Sequence, residues 1–234
     1  FKKNRGAEAF SVASWNVHLL NFFEGNGKLD DGMMQQAKKI NADVLAVQEF
    51  VFSTDTGSSM SLQAIRKKLG YKYVVAGNDR AFGVYETTRE NNKIYNAFCV
   101  AIFSNYPVLQ WKKIQSLREY NHTFIWADIL VGTDTIRFFN IHLQSMHFAK
   151  KDYEFIENID HQGVEEVQKT GRNLLLKLKN ANLLRAIQVK EVEQEIMKSP
   201  HPVILAGDFN DVPNSYAYQT ISKHLKDAFI TRGF

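Results

Sequence analysis

Segment 203–213 constrains the fold more than any other part of the chain. It reads Val-Ile-Leu-Ala-Gly-Asp-Phe-Asn-Asp-Val-Pro, an apolar run that ends in a cluster of polar side chains. A short apolar run of this kind predicts a buried strand, and Gly207 permits a close approach or an unusual angle of the backbone. Asp208 and Asn210 alternate with Phe209, so on an extended chain they point to the same side. Such a pair at the end of a buried strand is typical of a binding or catalytic site, although a polar turn closed by the proline is the alternative.

Three further apolar runs end in the same way. The run at 43–49 ends in Gln48 and Glu49, the run at 136–143 presents Asn140 and His142, and the run at 10–18 presents Asn16. Catalytic and binding groups commonly collect at one edge of a sheet, on segments that a rigid scaffold positions. We therefore expect these polar strand ends to converge.

The order of these motifs along the chain resembles the endonuclease/exonuclease/phosphatase superfamily. Each matching piece is short, but five of them in family order span nearly the whole chain: Ser14-Trp15-Asn16, Val47-Gln48-Glu49, Val100-Ala101-Ile102-Phe103-Ser104, Asn140-Ile141-His142-Leu143 and Gly207-Asp208-Phe209-Asn210. Segments 140–145 and 208–211 look closest to the uncharacterised bacterial members. The resemblance implies an α/β (α+β) fold, a four-layer sandwich of two mixed β-sheets flanked by helices.

One part of the family pattern has no match in the chain. The superfamily pattern closes with an Arg-Ile-Asp-Tyr-like strand and a Ser-Asp-His motif, which supply a last Asp and the catalytic His. The sequence ends at Thr231-Arg232-Gly233-Phe234, and His224 lies in a different context. We expect residues 1–234 to form one domain of this superfamily that lacks its C-terminal strands, and we favour an incomplete chain over a degenerate member. A protein without that His should lose several orders of magnitude in rate, since general acid–base catalysis alone contributes about 10²–10⁴-fold.

Composition places few limits on the substrate. The 29 basic and 25 acidic side chains leave a net charge of +4, which is compatible with an anionic substrate but too weak to indicate nucleic acid by itself. Cys99 is the only cysteine, which excludes an intramolecular disulfide, and its apolar surroundings predict a buried position. No run approaches the roughly 18 apolar residues of a membrane span. The start at Phe1 and the basic residues Lys2, Lys3 and Arg5 leave open an upstream membrane anchor, so the localisation expected for this bacterial protein stays open between the cytoplasm and the membrane.

The alternation of patterns along the chain predicts the elements. Strands are expected near 10–17, 43–49, 72–76, 98–104, 107–114, 123–131, 135–142 and 203–208, and helices near 33–40, 61–69 and 164–198. Helices that punctuate pairs of strands favour two mixed sheets with helices packed outside. In the last helix, Val189, Val192 and Ile196 form one apolar face, and residues 174–176 are expected to be buried more completely.

Connecting segments are predicted from their polar and glycine-rich composition. A polar connection at 158–171 is expected to interrupt two helices, and residues 132–134 to form a hairpin turn. The polar loops 20–27 and 78–92 follow strands, and we expect them to border the site and to set substrate choice.

Resemblance to the superfamily assigns metal-binding roles to two of the strand ends. Glu49 is the predicted ligand of Mg²⁺, with Mn²⁺ as the alternative ion. Magnesium takes few protein carboxylates and completes its shell with water and substrate phosphate oxygens, whereas zinc needs several His or Cys ligands. Asn16 resembles the family Asn that contacts the metal directly or through water. Taken alone, an Asn after a strand is more often a turn former.

The remaining strand-end residues resemble the catalytic and substrate-binding groups. Asp208 is the predicted base that orients and deprotonates the attacking water, and Asn210 is predicted to hold the nucleophile or a phosphoryl oxygen. His142 resembles the His that donates to a phosphoryl oxygen as charge builds, although a lone strand His is more often structural. Asn140 is predicted to bind substrate.

These features predict a Mg²⁺-dependent hydrolase that cleaves a phosphoester, with a phosphodiester favoured over a monoester. Three classes of phosphorylated substrate stay open: nucleic acid, a phospholipid head group, and a soluble sugar or inositol phosphate. The sequence indicates no protein partner. The alternative function is a catalytically degenerate binding module on the same scaffold.

Overall fold

A computed structural model of the chain describes residues 10–21, 29–80, 87–89, 92–116, 122–146, 148, 150–161 and 163–232. The chain divides into two compact units. The first comprises Phe1–His142 and Ile196–Asp208, and the second comprises Leu143–Glu195 and Phe209–Phe234. The single domain expected over residues 1–234 stays a prediction.

Two four-stranded sheets form the framework of the first unit. Its strands are β1 (Val12–Asn16), β2 (Val44–Ser53), β3 (Tyr73–Arg80), β4 (Thr87–Arg89), β5 (Asn92–Ile94), β6 (Asn96–Ser104), β7 (Val108–Ser116), β8 (His122–Val131), β9 (Asp134–His142) and β10 (Val203–Asp208). The first sheet has the order β1-β2-β6-β3 and the second β10-β9-β8-β7, while β4 and β5 pair with each other. Because β1 is parallel to β2 and β10 is parallel to β9, whereas the other pairs are antiparallel, both sheets are mixed, as predicted.

Strand β2 is buried on both faces, because its side chains alternate between two apolar clusters. Leu45 and Val47 pack on the outer side with residues of α1 (Asp31–Ile40) and α2 (Leu62–Leu69). Val44 and Ala46 pack on the inner side with residues of the second sheet. A strand covered on both faces is apolar at most positions, which explains the apolar runs 44–47 and 50–52 on either side of Gln48 and Glu49.

Close approaches of the backbone explain two glycines. A Cβ atom on Gly207, whose φ is 151°, would lie 2.1 Å from the carbonyl oxygen of Ile141 on the neighbouring strand β9. A Cβ atom on Gly77 in β3 would lie 2.6 Å from Cγ2 of Ile125 in the second sheet. Neither position can accept a side chain without a shift of its neighbour. The close approach expected at Gly207 is therefore present.

A buried ion pair lies on the second sheet. Asp128 is 1% exposed and accepts hydrogen bonds from Nε of Arg137 at 2.7 Å, from Nη2 of Arg137 at 2.8 Å and from Gln110 at 2.6 Å. The guanidinium carbon of Arg137 also lies 3.7 Å from the ring centroid of Trp126. Burial raises the pKa of Asp128, but the hydrogen bonds from Arg137 and Gln110 outweigh it and hold the pKa below its ordinary value.

The described part of the second unit is helical. Its helices are α3 (Lys150–Glu157), α4 (Val164–Met197, which continues past the end of the unit), α5 (Tyr216–Ser222) and α6 (Ala228–Arg232). None of the helices in the described residues is long and apolar enough to cross a membrane.

Helix α4 confirms one packing prediction and corrects two others. Val189, Val192 and Ile196 are buried, as their spacing predicts. Of residues 174–176, Leu174 is buried, but Leu175 is 67% and Leu176 is 48% exposed, because consecutive helix positions turn away from one buried face. The connection predicted at 158–171 is also shorter, since α4 already begins at Val164 and continues through Gly171.

Most other local predictions agree with the structure. Cys99 is buried with 8% exposure, and residues 132–133 form the turn between β8 and β9. The loops predicted at 20–27 and 78–92 fall partly outside the described residues, which exclude 22–28, 81–86 and 90–91.

Candidate active site

Four of the predicted residues lie together in the first unit: three are the last residues of strands, and Glu49 lies within β2 at its β-bulge. Asn16 ends β1, His142 ends β9 and Asp208 ends β10. Glu49 follows Gln48, which is the register partner of Asn16, and Asp208 is the register partner of His142. Parallel neighbours place their carboxyl ends at the same edge of a sheet, so this topology brings the predicted residues into one place.

The Asn16 side chain links the two sheets. Its amide nitrogen donates to Oε1 of Glu49 at 3.0 Å and to Oδ2 of Asp208 at 2.9 Å. Its Oδ1 accepts a hydrogen bond from the backbone N–H of His18 at 3.0 Å. Because an N–H group can only donate, the bond from His18 identifies the oxygen end of the amide and turns the nitrogen toward the two carboxylates.

Glu49 owes its position to a β-bulge. The pairing of β2 with β6 shifts register between Val47 and Phe50, and Glu49 has a φ of 49°. Val47 and Phe50 both pack in the outer apolar cluster, so the two residues between them lie outside the regular alternation. Bulges redirect side chains next to active sites, and a positive φ at a residue other than glycine stores strain that the surrounding packing must offset.

His142 lies beside the Glu49 carboxylate. Its Nε2 atom is 3.6 Å from Oε1 of Glu49, which is longer than a hydrogen bond. The two side chains are 15% and 30% exposed, respectively. Both therefore remain within reach of a solute that enters this end of the sheets.

Asn140 is an internal residue of the framework. It is 0% exposed, and its amide nitrogen donates to the carbonyl oxygens of Val47 at 2.9 Å and Ala101 at 2.8 Å. Its Oδ1 accepts from Nε2 of Gln48 at 2.6 Å. The side chain thus joins β9 to β2 and β6. The substrate-binding role of Asn140 stays a prediction, and this burial favours an indirect contribution to the site.

Asn210 belongs to the second unit. It has a φ of 50°, and its amide nitrogen donates to the carbonyl oxygen of Leu143 at 2.9 Å. The extended alternation assumed from the sequence ends before this residue, because β10 stops at Asp208. The role predicted for Asn210 therefore rests on the motif alone.

Gln48 supports the site from within the framework, a role that was not predicted from the sequence. It is 1% exposed, and Nε2 donates to Oγ of Ser14 at 3.2 Å in addition to Asn140. A polar residue inside an otherwise apolar strand was the available signal. Its partners come from distant parts of the chain, which no local pattern identifies.

A comparison with protein families decides the classification. The model of the Endonuclease/Exonuclease/phosphatase family matches residues 13–234. The chain belongs to this family. Members of the endonuclease/exonuclease/phosphatase family are hydrolytic phosphoesterases, and membership supports phosphoester hydrolysis in general for this chain. No curated protein sequence matches the chain.

Solved structures of the endonuclease/exonuclease/phosphatase family share the fold. A mutant of beta toxin from Staphylococcus aureus with bound magnesium ions has a TM-score of 0.53 at 19% identity, over 92% of this chain and 69% of that one. Sphingomyelinase C from Streptomyces griseocarneus has a TM-score of 0.53 at 15% identity, over 92% and 68%. An endonuclease/exonuclease/phosphatase from Beutenbergia cavernae has a TM-score of 0.56 at 16% identity, over 90% and 51%. At these identities the likeness shows the fold alone.

The donor atoms of the site fit a magnesium ion. Among the described residues, no group of three or more His, Cys, Asp or Glu side chains is arranged to hold a metal. Glu49 and Asp208 instead offer two carboxylates that share one amide donor. Magnesium binds to one or two carboxylates and takes its other ligands from water and phosphate. These oxygens therefore suit Mg²⁺ better than a metal that requires a closed set of protein ligands.

Proposed function

We propose that this protein is a Mg²⁺-dependent hydrolase of phosphoesters, with a phosphodiester favoured over a monoester. The observation that carries the proposal is the pair of carboxylates, Glu49 within β2 and Asp208 at the end of β10, joined by the amide of Asn16 at the end of β1. Two carboxylates in one place repel each other, and such an arrangement is characteristic of a site that binds a cation.

In this proposal Glu49 holds Mg²⁺, or Mn²⁺ as the alternative ion. When bound, the ion would neutralise charge on the phosphoryl oxygens and so lower the barrier to attack. Asn16 would contribute to the ion's site directly or through water, and its amide orients the two carboxylates. Its amide nitrogen, which faces both carboxylates, supports the indirect contact over direct ligation through Oδ1.

The other residues act on the water and on the phosphoryl group. Asp208 orients the attacking water and accepts its proton. His142 donates a hydrogen bond to a phosphoryl oxygen, and Asn210, on the strength of the motif, holds the nucleophile or a phosphoryl oxygen. Asn140 contributes by fixing Gln48 and the backbone of β2 at Val47.

Hydrolysis of bis(p-nitrophenyl) phosphate tests the proposal. The wild-type protein should release p-nitrophenol with Mg²⁺ and lose that activity in EDTA. Glu49→Gln and Asp208→Asn should each reduce the rate by about 10²-fold or more, since each removes a group that acts in the transition state. Asp134→Asn is the matched control, because it neutralises an exposed carboxylate at the start of β9. A protein that hydrolyses neither this diester nor p-nitrophenyl phosphate would contradict the proposal and favour a binding module.

The dependence on ionic strength distinguishes a nucleic-acid substrate from the other two substrate classes. A nuclease should bind its substrate more weakly as salt rises, because binding releases counterions from the phosphate backbone. A phospholipid head group or a soluble sugar or inositol phosphate carries few charges, so its KM should change much less over the same range.

A further inference from the structure

Arg185 is a buried cation on a face of α4 that is mostly apolar. It is 2% exposed and shares this face of α4 with Ala181, Val189 and Val192, which are also buried. The desolvation of a guanidinium group is costly unless every donor finds a partner. The hydrogen bonds of the Arg185 side chain must therefore offset this cost.

The three nitrogens of Arg185 contact two different segments and its own helix. Nε donates to Oδ2 of Asp211 at 2.9 Å, and Nη1 donates to the carbonyl oxygen of Gln144 at 2.9 Å. Nη2 donates to Oδ1 of Asn182. The Asp211 side chain is 13% exposed, so the ion pair is largely shielded from water and is screened little by salt.

Two further hydrogen bonds tie the same segments together. The backbone N–H of Gln144 donates to Oε1 of Gln188, one helical turn after Arg185, at 2.8 Å. The amide nitrogen of Asn210 donates to the carbonyl oxygen of Leu143 at 2.9 Å. Within the second unit, residues 143–144 and 210–211 thus form one hydrogen-bonded network on α4.

The residues of this network adjoin the proposed catalytic residues along the chain. Leu143 directly follows His142, and Asn210 and Asp211 follow Asp208 by two and three positions. Asn210 is itself one of the proposed catalytic residues. A planar guanidinium with several fixed donors determines the orientation of its partners more closely than an apolar side chain of similar volume would.

We propose that Arg185 is a positioning residue that acts through Asn210 and through the backbone of residues 143–144 and 210–211. The inference rests on the proposed function. Loss of the Arg185 side chain misplaces Asn210 and lowers kcat, because small displacements of a group in a transition-state complex cost up to about 10²-fold in rate. KM should change by less than about threefold, since Arg185 is too deeply buried to contact substrate.

The experiment compares Arg185→Lys, Asp211→Asn, their double variant and the control Lys179→Gln, which removes an exposed cation from the same helix. Two readouts are taken: kcat and KM per folded molecule for Mg²⁺-dependent hydrolysis of bis(p-nitrophenyl) phosphate, and amide hydrogen exchange by mass spectrometry. We expect each single variant to lower kcat at least tenfold. The double variant should be no worse than the poorer single one, because both remove the same contact. Exchange should accelerate in segments 143–146 and 209–213 and nowhere else.

Unchanged kcat per folded molecule in both single variants would overturn the inference, as would additive losses in the double variant. Exchange that accelerates throughout the chain would also overturn it, since that result describes a general loss of stability. Exchange separates this inference from the proposed function. If the wild type hydrolyses nothing, the proposed function fails, while locally accelerated exchange would still support the positioning of residues 143–144 and 210–211, and unaltered exchange would reject it.

Discussion

Asn16→Ala is the substitution that probes the geometry of the candidate site most closely. The Asn16 amide nitrogen donates to Glu49 at 3.0 Å and to Asp208 at 2.9 Å, while its oxygen accepts from His18 at 3.0 Å. Alanine would remove these three hydrogen bonds and leave the two carboxylates facing each other without a donor between them.

The magnitude follows from the chemistry of these bonds. A hydrogen bond to a charged group contributes about 1.5–3 kcal/mol and a neutral one about 1 kcal/mol. Both carboxylate bonds are only partly buried, so we take the low end for each and count nothing for the exposed bond from His18, which water replaces. Asn16→Ala should then lower the free energy of unfolding by about 3 kcal/mol. Two bonds of this length that diverge from one nitrogen set the carboxylate oxygens about 5 Å apart. At that distance like charges repel by roughly 1–3 kcal/mol.

Mg²⁺ should reduce this loss, because a divalent cation cancels the repulsion that the amide otherwise offsets. Urea unfolding of the wild type and Asn16→Ala, each in EDTA and in saturating Mg²⁺, measures both losses from the midpoints at a common slope. The control Asn180→Ala removes an exposed amide from α4 and should change stability by no more than about 0.5 kcal/mol. A loss below about 0.5 kcal/mol in EDTA would refute the bridging geometry. A loss that grows in Mg²⁺ would show instead that the Asn16 oxygen ligates the ion directly.

Three further predictions concern stability and are read from urea unfolding midpoints. Gly207→Ala should destabilise the fold by about 3 kcal/mol, because the new Cβ would meet the backbone oxygen of Ile141 at 2.1 Å. Asp128→Asn should cost about 3–5 kcal/mol at neutral pH, because Arg137 would stay buried without its anionic partner. Since the pKa of Asp128 is lowered in the folded state, this difference should hold in full above the unfolded pKa of about 4 and close as pH falls below it. Tyr71→Phe should raise stability by about 1 kcal/mol, because the Tyr71 hydroxyl is buried and has no hydrogen-bond partner among the described residues.

Each of these predictions has a result that contradicts it. Unchanged stability in Gly207→Ala would mean that β9 and β10 separate easily. An Asp128→Asn loss that persists undiminished in acid would show that the carboxylate charge is not what stabilises the pair. For Tyr71, whose pKa burial raises to about 12, a Phe variant that is less stable than wild type would show that the hydroxyl bonds to a group outside the described residues.

The strands that carry the site could be predicted because their signals are local. An apolar run such as 44–47 is enough to predict a buried strand, but its end was predicted wrongly, because β2 continues through Gln48 and Glu49 to Ser53. Short or polar elements gave weaker signals, so β4, β5, α3 and the last two helices had no prediction. In α4 the run of three leucines was a misleading signal, because hydrophobicity alone does not tell which side of a helix is covered.

The hydrogen-bond partners within the site could not be predicted from the sequence. The amide of Asn16 meets a carboxylate 192 positions away, and the register shift that redirects Glu49 depends on its pairing with β6. Asn140 was expected to meet substrate, but its burial depends on the packing of one sheet against the other. Arg185 carried one usable signal, a cation at a core-facing helix position, and its partners again required the folded chain.

The central claim is that Glu49 holds a magnesium ion beside the Asp208 carboxylate, and calorimetric titration of the protein with Mg²⁺ tests it most directly. We expect wild type to bind Mg²⁺, with affinity reduced at least tenfold by Glu49→Gln, because this variant removes the carboxylate ligand. Asp208→Asn should weaken binding less, because it removes only a neighbouring negative charge. The exposed Asp134→Asn control should bind like wild type. Wild-type affinity in Glu49→Gln would contradict the claim and place any metal elsewhere in the protein.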